Sequence, residues 1–142
     1  MSGPGRTHPG PGRPDLEAAL DLGSASVKAV AMDADGNVVA ASRRDTRGRL
    51  RHTVDEVLEE LQASAPAPVS IVAVTGSRAG EVARALSVPD IAAIVAVHCG
   101  AARLAPGAGA VLELGGESAR FLRFGTPDPD GLPALLDLSN PS

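Results

Sequence analysis

The chain has no tryptophan and no tyrosine, and Phe121 and Phe124 are its only phenylalanines. Recognition of nucleic-acid bases on aromatic platforms is therefore disfavoured. A net charge of −4 argues against a general binder of phosphate backbones. Any core must be built from Val, Leu, Ile and Ala, small side chains that favour thin, closely packed layers. Cysteine is nearly absent too. Cys99 stands alone, which rules out an internal disulfide, a cysteine-type zinc site and a self-contained iron–sulfur site. The longest apolar run, Ile91 to Val97, falls far short of the ~18–20 residues of a membrane helix. No apolar stretch near the start has the form of a signal peptide. The expectation is a cytoplasmic protein without membrane or nucleic-acid partners. At 142 residues, 44% hydrophobic and 21% charged, the chain has the make-up of one globular domain, or of one domain and part of a second.

Residues 1–14 are Gly, Pro and Arg with almost nothing apolar. Such a segment cannot offset its ordering entropy by burial and reads as a disordered leader. Short apolar runs at Ala18–Leu22, Val27–Met32 and Val38–Ala41 are separated by a Gly-Ser turn and by Asp33-Ala34-Asp35-Gly36-Asn37. They predict an antiparallel three-strand meander. Leu50, Val54, Val57, Leu58 and Leu61 fall at helical spacing, and Thr53 with Glu56 has the form of a capping box. Val69–Thr75 reads as a buried strand and Glu81–Leu86 as a short helix. Val88-Pro89 breaks that helix, and Asp90–Leu104 reads as a second, mostly apolar one holding His98 and Cys99 as a core pair. Strands follow at Val111–Leu114, Ala119–Phe124 and Leu132–Leu138. The order is βββ-α-β-α-α-βββ, the second βββ echoing the first as a weak duplication. Residues 15–106 make a first lobe and 107–142 the opening strands of an incomplete second one.

Two hairpins could carry chemistry. In Asp21-Leu22-Gly23-Ser24-Ala25-Ser26-Val27-Lys28 an acid ends a strand before a Gly-Ser turn. Backbone N–H groups grouped in such a turn can hold phosphate oxygens, and glycine permits close approach. Asp21 could hold Mg²⁺ through water, and Lys28, the only lysine, could reach a phosphate; the alternative is a plain β-turn. Glu113-Leu114-Gly115-Gly116-Glu117-Ser118-Ala119-Arg120 repeats the pattern. Facing hairpins of this kind would clamp a nucleotide phosphate tail and its metal, with Glu113 orienting a water for attack on the terminal phosphate. Gly76, in Thr75-Gly76-Ser77-Arg78, sits between a strand and a helix start, where an anion site is plausible, although the residues match neither a Walker A loop nor the Rossmann glycine spacing. The arginines at 43, 44, 47, 49 and 51 read as a solvated face.

DLGSASVKAVAMD, VAVTGS and AVLELGGESARF, in this order, resemble the BadF/BadG/BcrA/BcrD-type ATPases, the activators of 2-hydroxyacyl-CoA dehydratases and relatives of benzoyl-CoA reductase ATPase subunits. The resemblance spans about residues 17–125 and is strongest to the CoA-substrate-specific enzyme activase branch. It implies an α/β chain with a ribonuclease-H-like lobe (βββαβα) of the acetate and sugar kinase/heat-shock/actin superfamily, closing with a second lobe over ATP and Mg²⁺. It further implies a homodimer sharing a 4Fe–4S cluster, and ATP hydrolysis that drives an electron into a dehydratase or reductase partner. Asp21, Gly23, Ser24, Ser26 and Lys28 match the first phosphate motif; Glu113, Gly115, Gly116 and Glu117 match the second. Ser118 stands where the family commonly has Asp, Arg120 where it has Lys, and Ala93 where an acid is expected; these departures bear on turnover more than on nucleotide binding. The cluster cysteines have no counterpart here, and Leu138-Ser139-Asn140-Pro141-Ser142 reads as the approach to the family's cysteine-bearing segment. The expected role is the ATP-binding N-terminal part of such an activase, completed by a second-lobe polypeptide or docked on dehydratase subunits. The alternatives are a non-catalytic interaction module and a piece of another kinase of the same fold. A second-lobe sheet without its covering helices is expected to fold back on the first lobe, pair with another chain, or be poorly ordered.

Overall fold

The computed structural model describes residues 16–115 and 119–139. The expected leader, Gly116, Glu117 and Ser118, and the terminal residues 140–142 lie outside the described residues.

Three strands, β1 (Leu16–Leu22), β2 (Ser26–Met32) and β3 (Val38–Asp45), form the expected antiparallel meander. Side chains alternate across a strand, so Leu16, Ala18, Leu20 and Leu22 of β1 share one buried face with Val27, Ala29 and Ala31 of β2. Asp21 and Lys28 stand on the other. The buried face meets α1 (Leu50–Ser64) through Val54, Val57 and Leu61. The chain then returns as β4 (Val69–Thr75), parallel to β1, and α2 (Ala79–Leu86) packs over it with Ala79, Val82 and Ala83. A two-residue β5 (Asp90–Ile91) completes the sheet in the order β3-β2-β1-β4-β5. Alanine fills much of the contact layer (Ala18, Ala29, Ala31, Ala40, Ala79, Ala83). That is how a core closes without aromatic rings: small residues let helix and sheet backbones approach.

The β2–β3 connection is an Asx-type turn. The Asp33 carboxylate accepts the N–H groups of Asp35 and Asn37 at 3.0 and 2.9 Å, and Gly36 takes the positive φ of 78° that the turn requires. Arg103, at the end of α3 (Ala93–Leu104), donates to the Gly36 carbonyl at 2.6 Å.

A second antiparallel meander, β6 (Ala110–Leu114), β7 (Ala119–Pro127) and β8 (Pro133–Ser139), forms a separate three-strand sheet. Its Leu122 and Phe124 are buried, and the Phe124 ring stacks on His98 of α3 with centroids 5.2 Å apart. This face of the second sheet thus packs against α3.

Several local expectations are corrected. Asp90–Ile91 is strand, not the start of a helix: Pro89 cannot donate in a helix, its carbonyl instead accepts from Val74 N at 3.0 Å, and the Thr75 hydroxyl fixes the Ile91 carbonyl at 2.6 Å. There is no capping box at Thr53. The helix starts at Leu50, and Thr53, already inside it and buried, donates its hydroxyl back to the Arg49 carbonyl at 2.9 Å. α2 begins at Ala79, and β4 buries only Val74 completely. Cys99 is exposed, not a core partner of His98; α3 lies at the surface with no fully buried residue.

Candidate functional site

The first hairpin turn is held from behind by one residue. Gly23 N donates to the Ser26 carbonyl at 3.0 Å, and Thr46 N donates to the Ala25 carbonyl at 2.9 Å. The Thr46 hydroxyl donates to the Ser24 carbonyl at 3.0 Å. With both carbonyls drawn toward Thr46, planarity of the trans peptide turns the N–H groups of Ala25 and Ser26 the other way. Thr46 is itself buried. Nothing in the sequence marks it, because its partners lie about twenty residues away and are backbone atoms.

The β4–α2 turn closes on the end of β1. Gly76 has φ +107°, and a Cβ there would lie 2.6 Å from the Leu22 carbonyl oxygen and 2.8 Å from Asp21 Oδ1. Only glycine fits both the conformation and the space. Arg78 N then donates to the same Leu22 carbonyl at 3.0 Å.

Each hairpin carries an acid and a base directly opposite one another. Asp21 pairs with Lys28 across β1–β2, Nζ to Oδ2 at 2.8 Å. Glu113 pairs with Arg120 across β6–β7, Nη1 to Oε2 at 2.6 Å. The register is the same in both, so the weak duplication noted in the sequence extends to the cross-strand pairing.

These parts share one cleft of about 330 Å³. Asp21, Gly23, Ser24, Ser26 and Lys28 line it from the first hairpin, Gly76 and Ser77 from the β4–α2 turn, and Glu113, Gly115 and Arg120 from the second hairpin. Ala93, the first residue of α3, lines it as well. Gly23 and Gly115, distant in sequence, therefore face the same crevice. Gly116 and Glu117 lie outside the described residues. Lys28 and Arg120 offset Asp21 and Glu113 in charge, so an entering anion meets two bases that must be freed from their acids.

The residues present suit a magnesium ion held through water. Asp21 Oδ2 is taken by Lys28 and Oδ1 lies beside Gly76. No group of three or more His, Cys, Asp or Glu side chains among the described residues could hold a metal alone. One carboxylate plus water is a common arrangement for Mg²⁺ beside substrate phosphates. An iron–sulfur cluster does not fit: it takes four thiolates, and this chain offers only Cys99.

The fold is that of the actin-like ATPases, a mixed α/β arrangement with a five-strand sheet followed by the strands of a second sheet. No protein-family model matches the sequence, and no curated protein does. Among solved structures, the chain is similar to the activator of the 2-hydroxyisocaproyl-CoA dehydratase from Clostridium difficile with bound ADPNP, with 21% identity and a TM-score of 0.64 over 89% of this chain and 45% of that one. It is similar to component A of the (R)-2-hydroxyglutaryl-CoA dehydratase of Acidaminococcus fermentans, with 15% identity and a TM-score of 0.66 over 89% and 47%. The ethanolamine utilization protein EutJ from Carboxydothermus hydrogenoformans gives 15% identity and a TM-score of 0.66 over 93% and 53%. At these identities the likeness is one of fold. The chain spans about half the length of each of these three proteins. No helix among the described residues is long and apolar enough to cross a membrane.

Proposed function

We propose that the cleft between the two hairpins binds the phosphate chain of ATP with Mg²⁺, and that the chain is the ATP-binding part of a cytoplasmic activase of the CoA-dehydratase or reductase type. The observation that carries this reading is the meeting of two acid–glycine hairpins, in identical cross-strand register, on one crevice. At about 330 Å³ the crevice sits at the low end of ligand clefts, ~300–1,000 Å³, a size for a phosphate tail more than for a whole nucleotide. Adenosine would then be held by a second-lobe polypeptide or by a partner.

In this reading Mg²⁺, when bound, supplies charge compensation for the phosphates. Asp21 orients its water shell, and Lys28 swings from Asp21 to a phosphate oxygen. The turn N–H groups at Gly23–Ser26 receive further oxygens, and Gly76 and Gly115, with Gly116, let the anion approach. Glu113 is the group that orients an attacking water, with Arg120 holding its carboxylate in place; Glu117, outside the described residues, is the further acid of the second motif. The partner in this reading is a dehydratase or reductase component, a choice supported by two similar structures that belong to dehydratase systems, and a homodimer is the expected assembly.

Calorimetry on the purified chain tests this. Mg-ATP should bind, more weakly without Mg²⁺, and Asp21→Asn should remove the magnesium dependence. No heat at millimolar Mg-ATP sinks the reading. A second reading, binding without turnover in an interaction module, is favoured by the Arg120 grip on Glu113 and by Ala93 at the α3 start. Binding of Mg-ATP with no phosphate release, alone or with a dehydratase component, would select it.

A further inference from the structure

We propose that the cavity at the β3–α1 junction is a second site, separate from the hairpin cleft, that binds a small, multiply phosphorylated anion. The cavity measures about 460 Å³ and is lined by Arg43, Arg44, Arg47 and Arg49 against two acids, Asp45 and Glu56. Asp45 faces Arg43 at 3.6 Å and Glu60 of α1 holds Arg44, while Glu56 faces His52 at 3.6 Å, a partner that is charged only when protonated. With Glu60 counted beside the two lining acids, a surplus of one positive charge is left in a chain whose net charge is −4. Among the described residues, the guanidinium groups of Arg47 and Arg49 bond to no carboxylate. Free guanidinium forks are the side chains best matched to phosphate oxygens, which they take two at a time.

The backbone supplies an independent observation. Arg49 N donates to the Thr46 carbonyl at 2.8 Å, closing a turn whose central residues, Arg47 and Gly48, have φ of 44° and 76°. Turns with positive φ at both centres are the province of Asn-Gly and Gly-Gly. Arginine at the first centre is strained, and such strain persists where a function holds it in place. It sets Arg47 on the cavity wall, with Arg49 two residues on. The concave shape favours a compact ligand over a long acidic segment, and no aromatic side chain lines the cavity to stack a base. At about 460 Å³ the cavity is larger than one phosphate, and the two free guanidinium forks can each take a pair of oxygens, so a ligand of two or more phosphate groups fits it best.

The test uses the whole chain and tripolyphosphate without magnesium as the probe, followed by calorimetry and thermal unfolding. Arg47→Asn places a residue that tolerates positive φ at the strained position. It should leave the melting temperature equal or higher while weakening the probe about tenfold, as expected for loss of a charged hydrogen-bond donor. Arg49→Gln, which leaves the turn untouched, should weaken it likewise, and Lys28→Gln should leave this site's binding in place. The proposal is overturned if Arg47→Asn and Arg49→Gln together bind the probe as the parent does, or if Lys28→Gln alone abolishes all binding. In the latter case the probe reads only the hairpin cleft, and the nucleotide reading stands without this one.

Discussion

Gly76 is the residue on which the geometry of the cleft turns. An alanine there would carry a left-handed φ, at about 1–2 kcal/mol, and would drive its methyl into the Leu22 carbonyl, a backbone atom already engaged by Arg78. Backbone cannot swing aside as a side chain can. Gly76→Ala should lower stability by at least ~2 kcal/mol in urea unfolding, and it should weaken Mg-ATP because the same atoms border Asp21. An unchanged unfolding midpoint would show that β4 and α2 are not locked onto β1 in this way. Thr46 offers a complementary case. Thr46→Val keeps the shape and the backbone donor but strands the Ser24 carbonyl, with an expected cost of about 1–3 kcal/mol. Thr46→Ser should restore most of it. Thr46 could not have been found from the sequence, whereas Gly76 stood out as the glycine between a strand and a helix start, where an anion site is plausible. The acid–base pairs were legible as residues, but their cross-strand bonding was not, since it depends on a register that only the paired strands define.

At the scale of elements, α1 is fastened to the sheet by charge as well as by Val54, Val57 and Leu61. Glu60 accepts from the Ser42 hydroxyl at 2.7 Å and from Arg44, both on β3. The Arg44 guanidinium, aided by Ser42, holds the Glu60 carboxyl below the usual carboxylate range, and Asn37 does the same for Asp33 in the β2–β3 turn. A carboxylate whose pKa is depressed on folding contributes stability above its unfolded pKa and loses it as pH falls through the folded one. Stability should therefore be level from neutral pH down to the ordinary carboxylate range and decline below it. Glu60→Gln should make that acid decline shallower, with Asp33 still contributing to it. A decline equally steep in Glu60→Gln would remove the α1–β3 pair from the account. Both groups are open to solvent, so the effect is modest and should shrink in high salt. Hydrophobic period made α1 and the first meander legible. β5 was not, because two residues carry no period and because the apolar run from Ile91 onward continues straight into α3.

Across the whole molecule, the two meanders are built on one plan but are not covered alike. Setting Asp21 and Lys28 on Glu113 and Arg120 places Leu20 on Leu112 and Leu22 on Leu114. The first pair is completely buried beneath the α1 layer, while Leu112 and Leu114 are 61% and 74% exposed. Phe121, opposite Leu112 in the register, is on the same bare face. The second sheet therefore turns one side, with Leu122 and Phe124, toward α3 and shows solvent the side that its counterpart hides. Exposed strands with an apolar face are prone to associate. Sedimentation velocity should show concentration-dependent association, and Leu112→Lys with Leu114→Glu should suppress it while leaving the urea midpoint nearly unchanged. The same logic predicts the opposite at the equivalent positions: Leu20→Ala or Leu22→Ala should cost about 2–5 kcal/mol each, because there the cavity cannot refill. If the β6 substitutions instead destabilised the chain as strongly as those in β1, the face would be covered in solution and the two meanders would be alike in burial as well as in plan.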